Sequence, residues 1–198
     1  MKTTHALTTL ALAGALMLTG CSSNSSSAAT TAPSSAATTA SATPSPTPTQ
    51  SQEDLSIEQA KETYKAFVAA GDAAGEAGYT AESLTKVVDY LTADGSARLT
   101  LVPQLNQSAE QGITTKGETK IGSVEATSYT AGKKTSLGDD TGAKVVLDAC
   151  LDPTGKTWYH DGEAMTTSGV KASCSEVTLV NQGSWLIDSA TETTEAFH

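Results

Sequence analysis

Side chains able to do chemistry are few in this chain, and their spacing argues for structure more than for reaction. His160 is the single histidine within the body of the chain, since His5 lies at the start and His198 is the last residue. With Asp148 or Asp152 as the orienting carboxylate it would supply two members of a Ser-His-Asp arrangement, in which the imidazole takes a proton from a serine nucleophile. The third member is missing. No G-x-S-x-G stretch occurs, and Tyr159 and Asp161 flank the imidazole as they would on a polar strand or turn. Asp148 and His160 are therefore weak catalytic candidates, and no catalytic residue is expected. Asp139-Asp140 lacks the spaced oxygen ligands of a calcium loop, and neither G-x-x-x-x-G-K nor G-x-G-x-x-G is present, so no metal and no cofactor is expected. Trp158 and Trp185 could line a ligand cavity, but at strand positions they are expected in a core.

The chain has three cysteines, Cys21, Cys150 and Cys174, none in a C-x-x-C pair. Cys21 follows a charged start at Lys2, an uncharged apolar run over residues 6–18 and two small residues. That order is a secretory signal, with a run too short to span a bilayer. The junction Leu18-Thr19-Gly20-Cys21 resembles the lipobox of bacterial lipoproteins. The resemblance implies cleavage after Gly20 and a diacylglyceryl group on the Cys21 thiol. Two acyl chains, at about 0.8 kcal/mol per buried methylene, hold a protein stably where one does not. The mature protein is thus expected on the cell membrane, lipid-anchored, facing the extracytoplasmic side.

Export makes Cys150 and Cys174 an even pair in an oxidising compartment, where a structural disulfide is the expected state. Closing the loop between them would contribute roughly 3.5 kcal/mol in the chain-entropy account. A redox role would need an activated pair, which the sequence does not supply.

Composition divides the rest. Residues 22–52 contain no charge and no apolar side chain larger than Ala, and they hold four of the six prolines, Pro33, Pro44, Pro46 and Pro48. Such a segment cannot offset its ordering entropy by burial and is expected to be a disordered tether. As a coil it would span roughly 30 Å, and about 90 Å if fully extended. All 22 acidic residues lie from Glu53 onward, and the formal net charge of −10 argues against nucleic acid as a partner. Residues 53–198 are one domain's worth of chain.

Within that domain Ser56 and Gln59 form an S-x-x-Q capping box, with Leu55 and Ala60 placed for a hydrophobic staple. Ile57, Ala60, Tyr64, Phe67 and Val68 then make one apolar helical face. Gly71, Gly75 and Gly78 predict a flexible turn, the competing reading of their spacing being a helix-docking face. Thr80 caps a second helix carrying Leu84, Val87, Val88 and Leu91, closed by Asp94-Gly95. A third, over residues 96 to about 111, presents Leu99, Val102 and Leu105 and is disturbed by Pro103. Strands are expected at 120–130, 143–152, 156–161, 173–180 and 184–189. In the best of them Val145, Leu147, Ala149 and Leu151 alternate with Val146, Asp148, Cys150 and Asp152. Helices first and an antiparallel meander after them predict an α+β domain.

The helix face from Ile57 to Val68, the run Val145-Val146-Leu147-Asp148-Ala149-Cys150-Leu151-Asp152, the turn Asp161-Gly162 and the closing Gly183-Ser184-Trp185-Leu186-Ile187 resemble the nuclear transport factor two-like superfamily. They are most similar to small lipoproteins of high-GC Gram-positive bacteria. The resemblance implies N-terminal helices packed on a curved antiparallel sheet, a cone with a pocket. It implies either a binding or accessory protein of the cell envelope, holding a small apolar ligand or an envelope protein, or an isomerase or dehydratase-like enzyme using a pocket carboxylate or histidine. Asp148 and His160 are the residues that would serve the second case. Against it, Asp148 is expected to be solvated on the convex face and Asp152 to open the turn Asp152-Pro153-Thr154-Gly155.

Overall fold

A computed structural model describes residues 50–166 and 170–193. Cys21 and the tether up to residue 49 lie outside the described residues. Helix α1, Gln52–Glu76, begins earlier than the S-x-x-Q signal suggests. Ser51 is its N-cap: its hydroxyl accepts from the Asp54 amide at 3.1 Å while the Asp54 carboxylate accepts from the Ser51 amide at 3.2 Å. A carboxylate in the first turn also meets the positive end of the helix dipole, which Gln59 cannot do. Ser56 is instead inside the helix and fully buried, and Leu55 is exposed rather than stapled to Ala60. The apolar face is as expected, with Ala60, Tyr64 and Val68 buried and Ile57 and Phe67 packed beside them.

Helix α1 does not loosen at Gly71 or Gly75. It passes so close to β1 (Ile113–Lys116) that a Cβ at position 75 would stand 2.2 Å from the Thr115 hydroxyl. Gly75 is a docking point. The chain turns only after the helix, at Gly78 with φ +71 and Tyr79 with φ 55.

Helix α2, Ala81–Val88, is capped by Thr80 as expected but ends before Leu91. Residues 90–92 leave the helix because β9 (Trp185–Glu192) takes their backbone groups. The Thr92 amide donates to the Ile187 carbonyl at 2.9 Å, and the Ile187 amide to the Tyr90 carbonyl at 2.8 Å. Gly95 then caps α3, Ser96–Glu110, with Pro103 inside it. Its inward residues are Leu101, Val102 and Leu105, while Leu99 is 69% exposed, one turn position away from the expected face.

The main sheet is antiparallel and four-stranded, in the order β2 (Lys120–Thr130), β5 (Lys144–Asp152), β8 (Ser173–Asn181) and β9. Short strands surround it: β1 pairs with β6 (Thr157–His160), expected at 156–161, and β6 pairs with β7 (Glu163–Ala164), while β3 (Lys133–Thr135) pairs with β4 (Gly138–Thr141); β1, β3, β4 and β7 were missed by the periodicity. Register sets Val145 opposite Leu179 and Leu147 opposite Val177. These four side chains and Ile187 are at most 1% exposed, and each contributes roughly 1.5–3 kcal/mol by burial against α1. Helices packed on an open antiparallel sheet make an α+β fold.

Two carboxylates, Asp140 buried and Asp72 half-buried, lock the layers. Asp140 accepts from the Ser56 and Tyr129 hydroxyls, the latter at 3.0 Å, and from the Gly132 amide at 2.7 Å, which ties α1 to the end of β2 and to the β3–β4 hairpin. Asp72 accepts from the Thr119 amide and hydroxyl, both at 2.7 Å, and pairs with Lys156 at 2.6 Å, so the far end of α1 holds the start of β2 and the β5–β6 turn.

Candidate functional site

Between α1, α3 and the inner face of the sheet lies a cleft of about 320 Å³. Helix α1 gives it Tyr64 and Phe67, and α3 gives Ala97, Thr100, Leu101 and Gln104. Its floor is Leu151, Val177 and Ile187, with Ser175 and Ala190 at the side. The volume is at the lower end of what small-molecule sites use, and about twice that of a cavity able to hold benzene. The polarity is ordered: Thr100, Gln104 and Ala190 are exposed at the rim, while Tyr64, Val177 and Ile187 are buried beneath. Burial raises the Tyr64 phenol well above its ordinary pKa, so it stays neutral. Among the described residues, the lining contains no carboxylate, no histidine and no cation.

That arrangement can hold an apolar body and hydrogen-bond a neutral head. It offers no proton-transfer group near neutral pH. Neither catalytic candidate reaches it. Asp148 is out of phase with Leu147 on β5, opposite Glu125 and Glu176, and so faces away from the cleft. It is half-buried rather than solvated, and its Oδ1 is enclosed without a hydrogen-bond partner. His160 stands on β6, its side chain 56% exposed and its Nε2 3.7 Å from the Asp161 carboxylate.

Asp152 opens the turn as expected, its Oδ1 accepting from the Thr154 amide at 2.9 Å and hydroxyl at 2.5 Å. Those two bonds hold its carboxyl below the usual range. Trp185 is in the core, 5% exposed, with its indole N–H donating to Gln59 at 3.2 Å. Trp158 is half-buried, with the Lys156 ammonium 5.9 Å from its ring centre.

Cys150 and Cys174 are register partners on β5 and β8 and are joined, their sulfurs 1.99 Å apart. Among the described residues one group of three metal-capable side chains comes together, Asp148 with these two cysteines. Its sulfurs are spent on each other, so no thiolate is left for an ion. The lining residues of the cleft escaped the sequence reading because they come from five elements and no stretch of chain carries more than a few of them. Asp140 and Asp72 escaped as well: Ser56 lies 84 residues from Asp140, and Thr119 and Lys156 lie 47 and 84 residues from Asp72.

No protein-family model and no curated protein matches the chain. Among solved structures it is similar to the intermembrane space region of the chloroplast protein ARC6, at 15% identity and a TM-score of 0.44, over 70% of this chain and 97% of that one.

Proposed function

We propose that this chain is an extracytoplasmic lipoprotein, anchored through Cys21, whose domain binds a small, uncharged, mainly apolar molecule in the cleft between α1, α3 and the sheet. The observation that carries the binding reading is the lining itself: apolar below, neutral and polar at the rim, without a charge. An ion placed there would lose hydration without a partner, at a cost of several kcal/mol, whereas a hydroxyl or carbonyl head could bond to Gln104, Thr100 or Ser175. The resemblance to the nuclear transport factor two-like superfamily supports the same reading, since such domains hold a pocket between helices and sheet.

Three features support the location. The resemblance of Leu18-Thr19-Gly20-Cys21 to a lipobox supports a lipid at the mature N-terminus. The disulfide fits an oxidising compartment. The uncharged, proline-containing segment 22–52 has the composition of a spacer. Native mass spectrometry of the protein purified from its own host tests the ligand. A retained neutral species is expected. Protein carrying no mass beyond chain and lipid, or carrying a retained anion, would contradict the proposal.

A further inference from the structure

On the outer face of the sheet, away from the cleft, Asp148 stands two residues before Cys150 on β5. One of its carboxylate oxygens and the two cysteine sulfurs lie within 4.8 Å of one another. Oδ1 is enclosed and has no hydrogen-bond partner among the described residues. Its cross-strand neighbours, Glu125 on β2 and Glu176 on β8, are also acidic. Of the lysines nearby, Lys61 pairs with Glu125 at 3.2 Å, Lys120 faces Asp152 across the strands, and Lys144 and Lys171 form no salt bridge with Asp148. No salt bridge reaches Asp148 among the described residues. Among the described residues, the disulfide thus sits beside a carboxylate with which no cation pairs. Cys150 and Cys174 are themselves only 6% and 4% exposed.

We propose that Asp148 is an electrostatic guard of the Cys150–Cys174 disulfide, holding it out of exchange with anionic thiols. Exchange begins when a thiolate gives its electron pair to one cysteine sulfur; the S–S bond breaks and the pair leaves on the other sulfur as a thiolate. A second reductant thiolate then releases the mixed disulfide, so that the protein gains two thiols, after protonation, and the small thiol becomes a disulfide. Asp148 opposes this twice, by repelling the incoming thiolate and by raising the energy of the departing one. This reading gives the unpaired carboxylate a use that catalysis does not. It concerns the disulfide alone and stands whether or not the cleft binds a ligand.

The test uses two thiols of opposite charge, 2-mercaptoethanesulfonate and cysteamine, at equal thiolate concentration and low salt. Opening of the Cys150–Cys174 bond is followed by alkylation and peptide mass spectrometry. Asp148→Asn is expected to speed the sulfonate reaction by about tenfold, the size expected of a part-screened charge within 5 Å, and to change the cysteamine rate much less. A Glu176→Gln variant, losing an exposed charge, should shift the ratio of the two rates by a smaller factor. In the unaltered protein 1 M salt should draw the two rates together. An Asp148→Asn variant that accelerates both thiols equally, together with salt-independent rates in the unaltered protein, would show loosened packing and overturn the proposal. Unchanged rates in the variant would overturn it too.

Discussion

Two glycines in one helix separate backbone cost from close packing. Gly71 and Gly75 both lie within α1, both carry the helical penalty of glycine, and at Gly71 a Cβ would meet nothing within 4 Å. Gly71→Ala is therefore expected to stabilise the protein by about 0.5–1 kcal/mol. At Gly75 the same methyl would press on the Thr115 hydroxyl at 2.2 Å and on its Cβ at 3.3 Å. Gly75→Ala should destabilise by about 1–2 kcal/mol net, the helical gain failing to offset overpacking. Urea unfolding of the two variants measures both signs, and a stabilised Gly75→Ala protein would show that α1 does not dock on β1 through this residue. The sequence could place these glycines on a helix or in a turn, because spacing alone carries no record of β1, a four-residue strand too short to show a period.

At the level of elements, legibility followed length. The four strands of the main sheet were readable, since β5 alternates cleanly and the other three each run eight residues or more. Strands β1, β3, β4 and β7 run two to four residues and were not. The start of α1 was misplaced because two capping boxes compete within nine residues, and the buried role of Ser56 depends on Asp140, 84 positions away. The true cap has a consequence of its own. Ser51→Ala should cost about 1 kcal/mol by removing the acceptor of the Asp54 amide. The Ser51 hydrogen bonds hold the Asp54 carboxyl below its ordinary value. Its part in the cap is therefore present above the ordinary carboxyl range and lost as pH falls through the depressed value. The stability gap between the unaltered protein and Ser51→Ala should accordingly narrow on acidification, which chemical unfolding at pH 7 and pH 3 checks. A gap that widens at low pH would mean that Asp54 does not act through Ser51.

On the proposed reading, the whole molecule is an anchor, a spacer and a binding domain. Cys21→Ala should leave export intact and abolish both lipidation and cleavage after Gly20, as read by incorporation of a palmitate analogue; equal label on the variant would remove the anchor from the account. The domain's part rests on the cleft. A neutral ligand that binds only the folded state at a hundredfold excess over its Kd stabilises by about 2.7 kcal/mol, a rise of roughly 5–10 °C in Tm for a domain of this size. Ala190, exposed at the rim, can be replaced by Trp to fill the cleft with little strain on the core. The most direct measurement is thermal unfolding with 1-octanol and with octanoate, on the unaltered protein and on Ala190→Trp. Octanol should raise the Tm of the unaltered protein saturably, octanoate should not, and neither should act on the variant. Equal stabilisation of the Trp variant by octanol, or a larger effect of octanoate than of octanol, would contradict a cleft built for an uncharged apolar ligand.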